Sequence, residues 1–148
     1  MRVLVQRSKK SNVVVDKKTI GSIDKGLVLL VGFTEGDTIE KIEYLAKRVV
    51  NLRIFDDLDG VMNKSILDCG GDILSISQFT LYADTKKGNR PSYVNALSGD
   101  KAEPLYDLFN EELRKYVKVE TGKFGAEMIV NITNDGPVTI MLEKWWYV

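Results

Sequence analysis

Two polar side chains, Gln78 and Thr80, continue a strand face that Leu74 and Ile76 begin. Alternate residues of a strand share a face, so the run Ile73-Leu74-Ser75-Ile76-Ser77-Gln78-Phe79-Thr80-Leu81 carries an amide and a hydroxyl along otherwise apolar ground. Either the strand end reaches water there, or the two groups stand in a pocket walled by hydrocarbon. The rest of the composition limits what such groups can do. The chain has no histidine, which removes Ser-His-Asp and Cys-His activation, the H-E-x-x-H zinc peptidase site and imidazole general-base catalysis together. Cys69 is the single cysteine, so an internal disulfide and a cysteine-rich zinc site are excluded and redox chemistry is not expected. Hydrolysis by this chain must draw on carboxylates, hydroxyls, backbone amides or a group that the substrate brings.

Three other stretches carry residue types of interest. Asn134-Asp135-Gly136-Pro137 lies between two apolar strands and reads as a hairpin connection. Its Gly-Pro bond belongs to the only class that takes the cis form cheaply, and in that form two successive carbonyls would make a rigid wall without side chains. Phe124 and Met128 can sandwich a planar base, or can equally be ordinary core residues. Asp56-Asp57-Leu58-Asp59-Gly60 gathers carboxylates, yet the position where a calcium loop needs its final Glu holds Asp68 and intervening ligands are missing, so a solvated turn is the better reading. Lys9-Lys10, Lys17-Lys18 and Lys86-Lys87 with Arg90 are the local basic clusters.

These residues need elements to position them. Strands are expected at 2–7, 12–16 and 26–33, then an amphipathic helix over about 38–51 with Ile39, Ile42, Leu45, Ala46 and Val49 at helical spacing and a capping box at Asp37–Glu40. A short strand at 52–55, a strand over 72–83 and a polar loop to Tyr93 follow. A second helix begins near Ser98 or Asp100 with Leu105, Leu108, Phe109, Leu113 and Tyr116 on one face, Pro104 being tolerated near its first turn. Further strands are expected at 117–121, 126–133 and 138–143. Strands outnumber helices, and short connections favour antiparallel pairs over repeated crossovers. The expected fold is a single α+β domain over 1–148, mainly antiparallel sheet folded as a sandwich or partial barrel, with two packed helices. At 148 residues the chain is long enough for one cooperative core.

Lys plus Arg equals Asp plus Glu at 21 each, so the overall field announces no nucleic-acid partner and only local clusters remain to touch phosphates. No run of about 18 apolar residues exists. The N-terminus lacks the features of a secretion signal, so a cytoplasmic protein without a membrane partner is expected.

Taken together, Ser-Gln-Phe-Thr-Leu at 77–81, Gly-Asn-Arg-Pro-Ser-Tyr at 88–93, Phe-Gly-Ala-Glu-Met at 124–128 and Asn-Asp-Gly-Pro-Val-Thr at 134–139 resemble the D-aminoacyl-tRNA deacylase family, often called D-tyrosyl-tRNA deacylase. The similarity runs from Met1 to about Glu143, and four motifs in the right order make it specific. It carries over no role for the tail Lys144-Trp145-Trp146-Tyr147-Val148. The resemblance implies a homodimer in which the Gly136-Pro137 bond is cis and reaches into the neighbouring subunit's pocket beside Ser77, Gln78, Phe79 and Thr80. It further implies that Arg7 holds the Gly-Pro carbonyls in orientation, and that Phe124 and Met128 line the pocket for the terminal adenosine.

On that resemblance the expected activity is hydrolysis of the ester of D-aminoacyl-tRNA, and of mischarged glycyl-tRNA, with the L-isomer excluded by carbonyls close to the α-carbon. No histidine or obvious base activates Thr80, so the ribose 2′-hydroxyl of the substrate is the expected helper, with Gln78 and backbone N–H groups stabilising the oxyanion. Such a reaction requires no metal and no cofactor. A non-catalytic module binding the tRNA acceptor end is the alternative of a different class.

Overall fold

The computed structural model describes residues 1–144. The tail residues Trp145 to Val148 lie outside the described residues. In chain order the elements are β1 (Arg2–Ser8), β2 (Ser11–Val15), β3 (Lys18–Ile23), β4 (Gly26–Gly32), α1 (Ile39–Asn51), β5 (Phe55–Asp56), β6 (Met62–Lys64), α2 (Ile66–Cys69), β7 (Asp72–Ser77), α3 (Gly99–Arg114), β8 (Val119–Thr121), β9 (Ile129–Asn131) and β10 (Asn134–Glu143), with a 3-10 turn at Phe79–Tyr82. A five-stranded sheet runs β10-β1-β4-β7-β8, a three-stranded sheet runs β3-β2-β9, and β5 pairs with β6.

The pattern of β4, Gly26-Leu27-Val28-Leu29-Leu30-Val31-Gly32, is apolar throughout because both its faces are covered. Leu27, Leu29 and Val31 join Ile73, Ile42, Leu45, Val49, Phe109 and Leu113 in the larger core, beneath α1 and α3. The alternate residue Val28 packs with Leu74, Ile76, Val13 and Ile23 in a smaller core under the three-stranded sheet. The molecule is therefore layered, helices on one face of the main sheet and a second sheet on the other. The α+β expectation holds, and most strand pairs are antiparallel.

Four local expectations change. The joints β4–β7 and β7–β8 are parallel, because α1 and α3 each return the chain across the sheet to start the next strand on the same end. The cap of α1 is Thr38, whose hydroxyl accepts from Lys41 N; Asp37 instead receives the Met1 ammonium at 2.7 Å and Thr34 N at 2.8 Å. Burial lowers the pKa of that ammonium below its ordinary value against the opposing pull of Asp37. Pro104 sits in the second turn of α3, on the exposed side, where a carbonyl freed from its helical bond can reach water. The short helix α2 went unforeseen, although Ser65 and Asp68 form a complete capping box around it.

The aspartates near 57 make a turn. The Asp57 carboxylate accepts from Asp59 N and Val61 N, and its pKa lies below the usual value chiefly through the Val61 bond. Among the described residues no group of three or more His, Cys, Asp or Glu is placed to hold a metal ion. Among the described residues no helix is long and apolar enough to cross a membrane.

Candidate active site

Strand β7 ends at Ser77, six residues short of the expected limit. Gln78 turns the chain (φ −143°, ψ 82°), and Phe79-Thr80-Leu81-Tyr82 coil into the 3-10 turn, closed by Leu81 N donating to Gln78 O at 3.2 Å and Ala83 N to Thr80 O at 3.0 Å. The period of two therefore stops before Thr80, and the shared face with Leu74 and Ile76 is lost. Gln78 and Thr80 meet all the same, since Gln78 Nε2 donates to Thr80 Oγ1 across the turn. Gln78 N also donates to Val31 O at 2.7 Å, which fastens the turn to β4. Gly32 is needed there, because a Cβ on it would stand 3.0 Å from Gln78 O and 3.2 Å from Leu81 Cβ.

The turn forms one wall of a cavity of about 610 Å³. That lies within the ~300–1,000 Å³ of small-molecule sites. The cavity opens at the carboxyl ends of the parallel pair, with Val31, Gly32 and Phe33 from β4 and its extension and Ile76 and Ser77 from β7. This is where parallel strands leave space for ligands, because the following connections diverge. Leu97 N donates to Phe33 O at 3.0 Å, holding the Ala96–Gly99 wall in place.

Ser77, Gln78, Phe79, Phe124 and Met128 all line this cavity. Phe124 is backed by Tyr106 of α3, with ring centroids 5.8 Å apart, and the Tyr106 hydroxyl donates to Ser75 O at 2.7 Å. Met128 lies so close to Gly122 that a Cβ there would stand 2.5 Å from its sulfur. Phe124 and Met128 are thus pocket residues that also touch core. Thr80 lines no part of the cavity, its hydroxyl being turned to Gln78.

Arg7, Gly136 and Pro137 form a second group, absent from the cavity lining. The expected hairpin at Asn134–Pro137 is not one, since β9 pairs with β2 while Asn134 already belongs to β10. Between the pairs Gln6–Thr139 and Ser8–Asn134, the single residue Arg7 faces Asp135, Gly136, Pro137 and Val138, so the strand arches out and returns. The Gly136-Pro137 bond is cis. Arg7 Nε donates to Asp135 O at 2.8 Å and its Nη1 to Ile54 O at 2.9 Å. Asn134 spans the base of the arch, Oδ1 accepting from Val138 N at 2.8 Å and Nδ2 donating to Thr139 Oγ1 at 2.9 Å. Gly136, at φ 140°, has no room for a Cβ beside Val138 and Arg7.

Two participants, Asn134 and Tyr93, fall within the family-like motifs at 134–139 and 88–93, but the sequence assigns neither a role of its own. Tyr93 lines the cavity and sets its ring edge-on to Phe79, centroids 5.2 Å apart.

A family model described as D-Tyr-tRNA(Tyr) deacylase matches residues 4–143. The chain belongs to the D-Tyr-tRNA(Tyr) deacylase family. It is accordingly an enzyme, a hydrolase, and the non-catalytic module gives way to that reading. A relative from Bacillus cytotoxicus named D-aminoacyl-tRNA deacylase is 57% identical over 145 residues, covering 97% of this chain and 99% of its own. One from Clostridium acetobutylicum with the same name is 55% identical, covering 97% of each. Among solved structures, the c-Myc DNA Unwinding Element Binding Protein superposes with a TM-score of 0.93 at 40% identity, covering 99% of this chain and 100% of its own. A probable eukaryotic D-amino acid tRNA deacylase gives 0.81 at 20% identity over 95% and 97%, a likeness of fold.

Within the cavity, Tyr93 is the one ionisable side chain among the described lining residues. Among the described residues no carboxylate, lysine, arginine or thiol lines it.

Proposed function

We propose that the cavity receives the 3′-terminal adenosine of a D-aminoacyl-tRNA, and that the ester is cleaved with the help of the substrate's own ribose 2′-hydroxyl. The observation that carries this reading is the absence of an ionisable base from the described lining. Thr80 is a poor nucleophile, because the group beside its hydroxyl is the Gln78 amide, an N–H donor that removes no proton. The vicinal 2′-hydroxyl is held next to the ester by covalent structure, so its proximity requires nothing of the protein. Ser77, Gln78 and the first N–H groups of the turn, at Phe79 and Thr80, position the carbonyl and stabilise its oxyanion. The first N–H groups of any helical turn lack partners within it. Phe124 and Met128 hold the adenine.

The same reading makes the working unit a homodimer. The exposed Gly136-Pro137 arch of one subunit enters the cavity of the other and sets carbonyls against the face where an L-amino acid projects its side chain. In support, the arch stands away from the cavity of its own chain, and β10 is an edge strand of the five-stranded sheet with Met141 44% exposed. An open edge of ten residues calls for a cover. D-aminoacyl and glycyl esters pass this filter and L-aminoacyl esters clash, so handedness is read while side-chain identity is read poorly.

Single-turnover hydrolysis of matched D- and L-tyrosyl-tRNA tests the filter. Cleavage of the D-ester with the L-ester intact is expected, and equal rates would leave a generic esterase. A substrate ending in 2′-deoxyadenosine tests the chemistry: the rate falls steeply, whereas an unchanged rate removes the 2′-hydroxyl from the mechanism.

A further inference from the structure

Phe79 and Tyr93 are large aromatic rings left 54% and 43% exposed at the edge of the cavity. A hydrophobic ring in contact with solvent is ordinary when alone, but here two rings meet edge-on at an interplanar angle of 74° at the rim of the cavity, so that each fixes the orientation of the other. The chain between them is a protruding hairpin. Asp84 and Ser92 close it with a pair of backbone bonds, Asp84 N to Ser92 O at 2.7 Å and Ser92 N to Asp84 O at 2.8 Å. Its root is thus fixed to the cavity rim at both ends, by the 3-10 turn on one side and Tyr93 on the other.

The hairpin carries Lys86, Lys87 and Arg90, all exposed, and none is held in an ion pair among the described residues. Its one carboxylate, Asp84, is engaged by the backbone, Oδ1 accepting from Lys86 N at 2.9 Å. Three unneutralised cations therefore cluster on an arm beside an aromatic step, in a chain whose overall charge is zero.

The geometry points to a subsite for the unpaired nucleotides that precede the terminal adenosine: a base stacks on the Tyr93 ring, which Phe79 braces edge-on, while Lys86, Lys87 and Arg90 meet the phosphates. This inference rests on the proposed function, since it is the adenosine in the cavity that brings the preceding strand to this rim. Stacking on aromatic rings suits single-stranded RNA because every base has a π-face, and flanking cations supply a sequence-independent, salt-sensitive attraction. Neutral overall charge then ceases to argue against an RNA substrate, because the attraction is local.

The test uses the full chain and two probes, an uncharged tRNA transcript ending in CCA and the D-tyrosyl ester of adenosine alone. The triple variant K86A/K87A/R90A is expected to bind the tRNA about tenfold more weakly, with a flatter salt dependence. Each lost phosphate contact removes about 0.7 from the slope of log affinity against log salt for a single strand. The variant should hydrolyse the adenosine ester at the parental rate, which a misfolded protein cannot do. Tyr93→Ala should weaken tRNA binding several-fold and Tyr93→Phe should restore it. Unchanged tRNA affinity and salt slope in the triple variant, or an equal loss on the adenosine ester, overturns the inference. Failure of the parent to cleave the adenosine ester or D-tyrosyl-tRNA overturns the proposed function instead, and the tRNA affinities still decide the role of the arm.

Discussion

Asn134 closes the arch of β10 with one side chain, accepting from Val138 N and donating to Thr139, while Arg7 grips Asp135 O from the neighbouring strand. Neither side chain lines the cavity, so both are positioning residues for Gly136-Pro137. Arg7→Ala and Asn134→Ala are expected to lower the ratio of D- to L-tyrosyl-tRNA hydrolysis about tenfold or more while each variant still melts cooperatively. Asn134→Asp keeps the acceptor for Val138 N and should recover part of the ratio. Unaltered discrimination in both alanine variants would separate the arch from chiral selection. Gln78 and Thr80 were legible as a polar pair on an apolar strand, and they do meet, but through a turn and not along a shared face. Phe124 and Met128 were legible as either core or pocket, and they touch both. Asn134 was hidden because its type suits turns so well that nothing marks it as a brace inside a strand.

The 3-10 turn is the element on which the site depends, and it is wedged against β4 at Gly32. Gly32→Ala pushes a methyl group against Gln78 O and Leu81 Cβ, an overpacking of the kind that costs about 1–3 kcal/mol. The expected outcome is a fall in kcat of tenfold or more with a near-parental circular dichroism spectrum, because the turn can yield more easily than the strand. Full activity in this variant would show that the position of Gln78 is not critical. The sequence pattern carried β7 through this turn because Leu74, Ile76, Gln78 and Thr80 keep their alternation while the backbone does not. Similarly, Asn134-Asp135-Gly136-Pro137 has every local mark of a hairpin. Whether it turns the chain between paired strands depends on which neighbours β9 and β10 choose, and those are β2 and β1, far away in sequence. Elements with a strong local period, α1 and β4 above all, were read almost to the residue. Parallel pairing was missed because it is decided by where α1 and α3 return the chain.

Burial within the layered molecule raises two of its phenols. Tyr82 and Tyr106, two of six tyrosines, have phenols raised above their ordinary value of 10.0, in both cases mainly by burial. A raised folded-state pKa favours the neutral phenol in the fold, so this contribution to stability is complete below about pH 10 and is lost as pH climbs through the folded values. Alkaline titration followed by phenolate absorbance should show these two ionising above the ordinary phenol value, with the melting temperature falling above about pH 10. Ionisation of Tyr82 and Tyr106 at the ordinary phenol value in the folded state would contradict it. For catalysis, single-turnover rates between about pH 6 and about pH 8 should show no inflection from a protein carboxylate or imidazole, since none lines the described cavity. A bell-shaped profile would point to an ionising group brought in from elsewhere.

The bare lining has a further consequence for how such an enzyme is noticed. Fluorophosphonates and related warheads find hydrolases by capturing a serine whose proton a neighbouring base has already loosened. Ser77 sits in the cavity with no such neighbour among its lining residues. A survey of a cell extract by covalent profiling would pass over this protein, and an inhibitor for it must be designed as a tight, non-bonding mimic of an aminoacylated nucleoside.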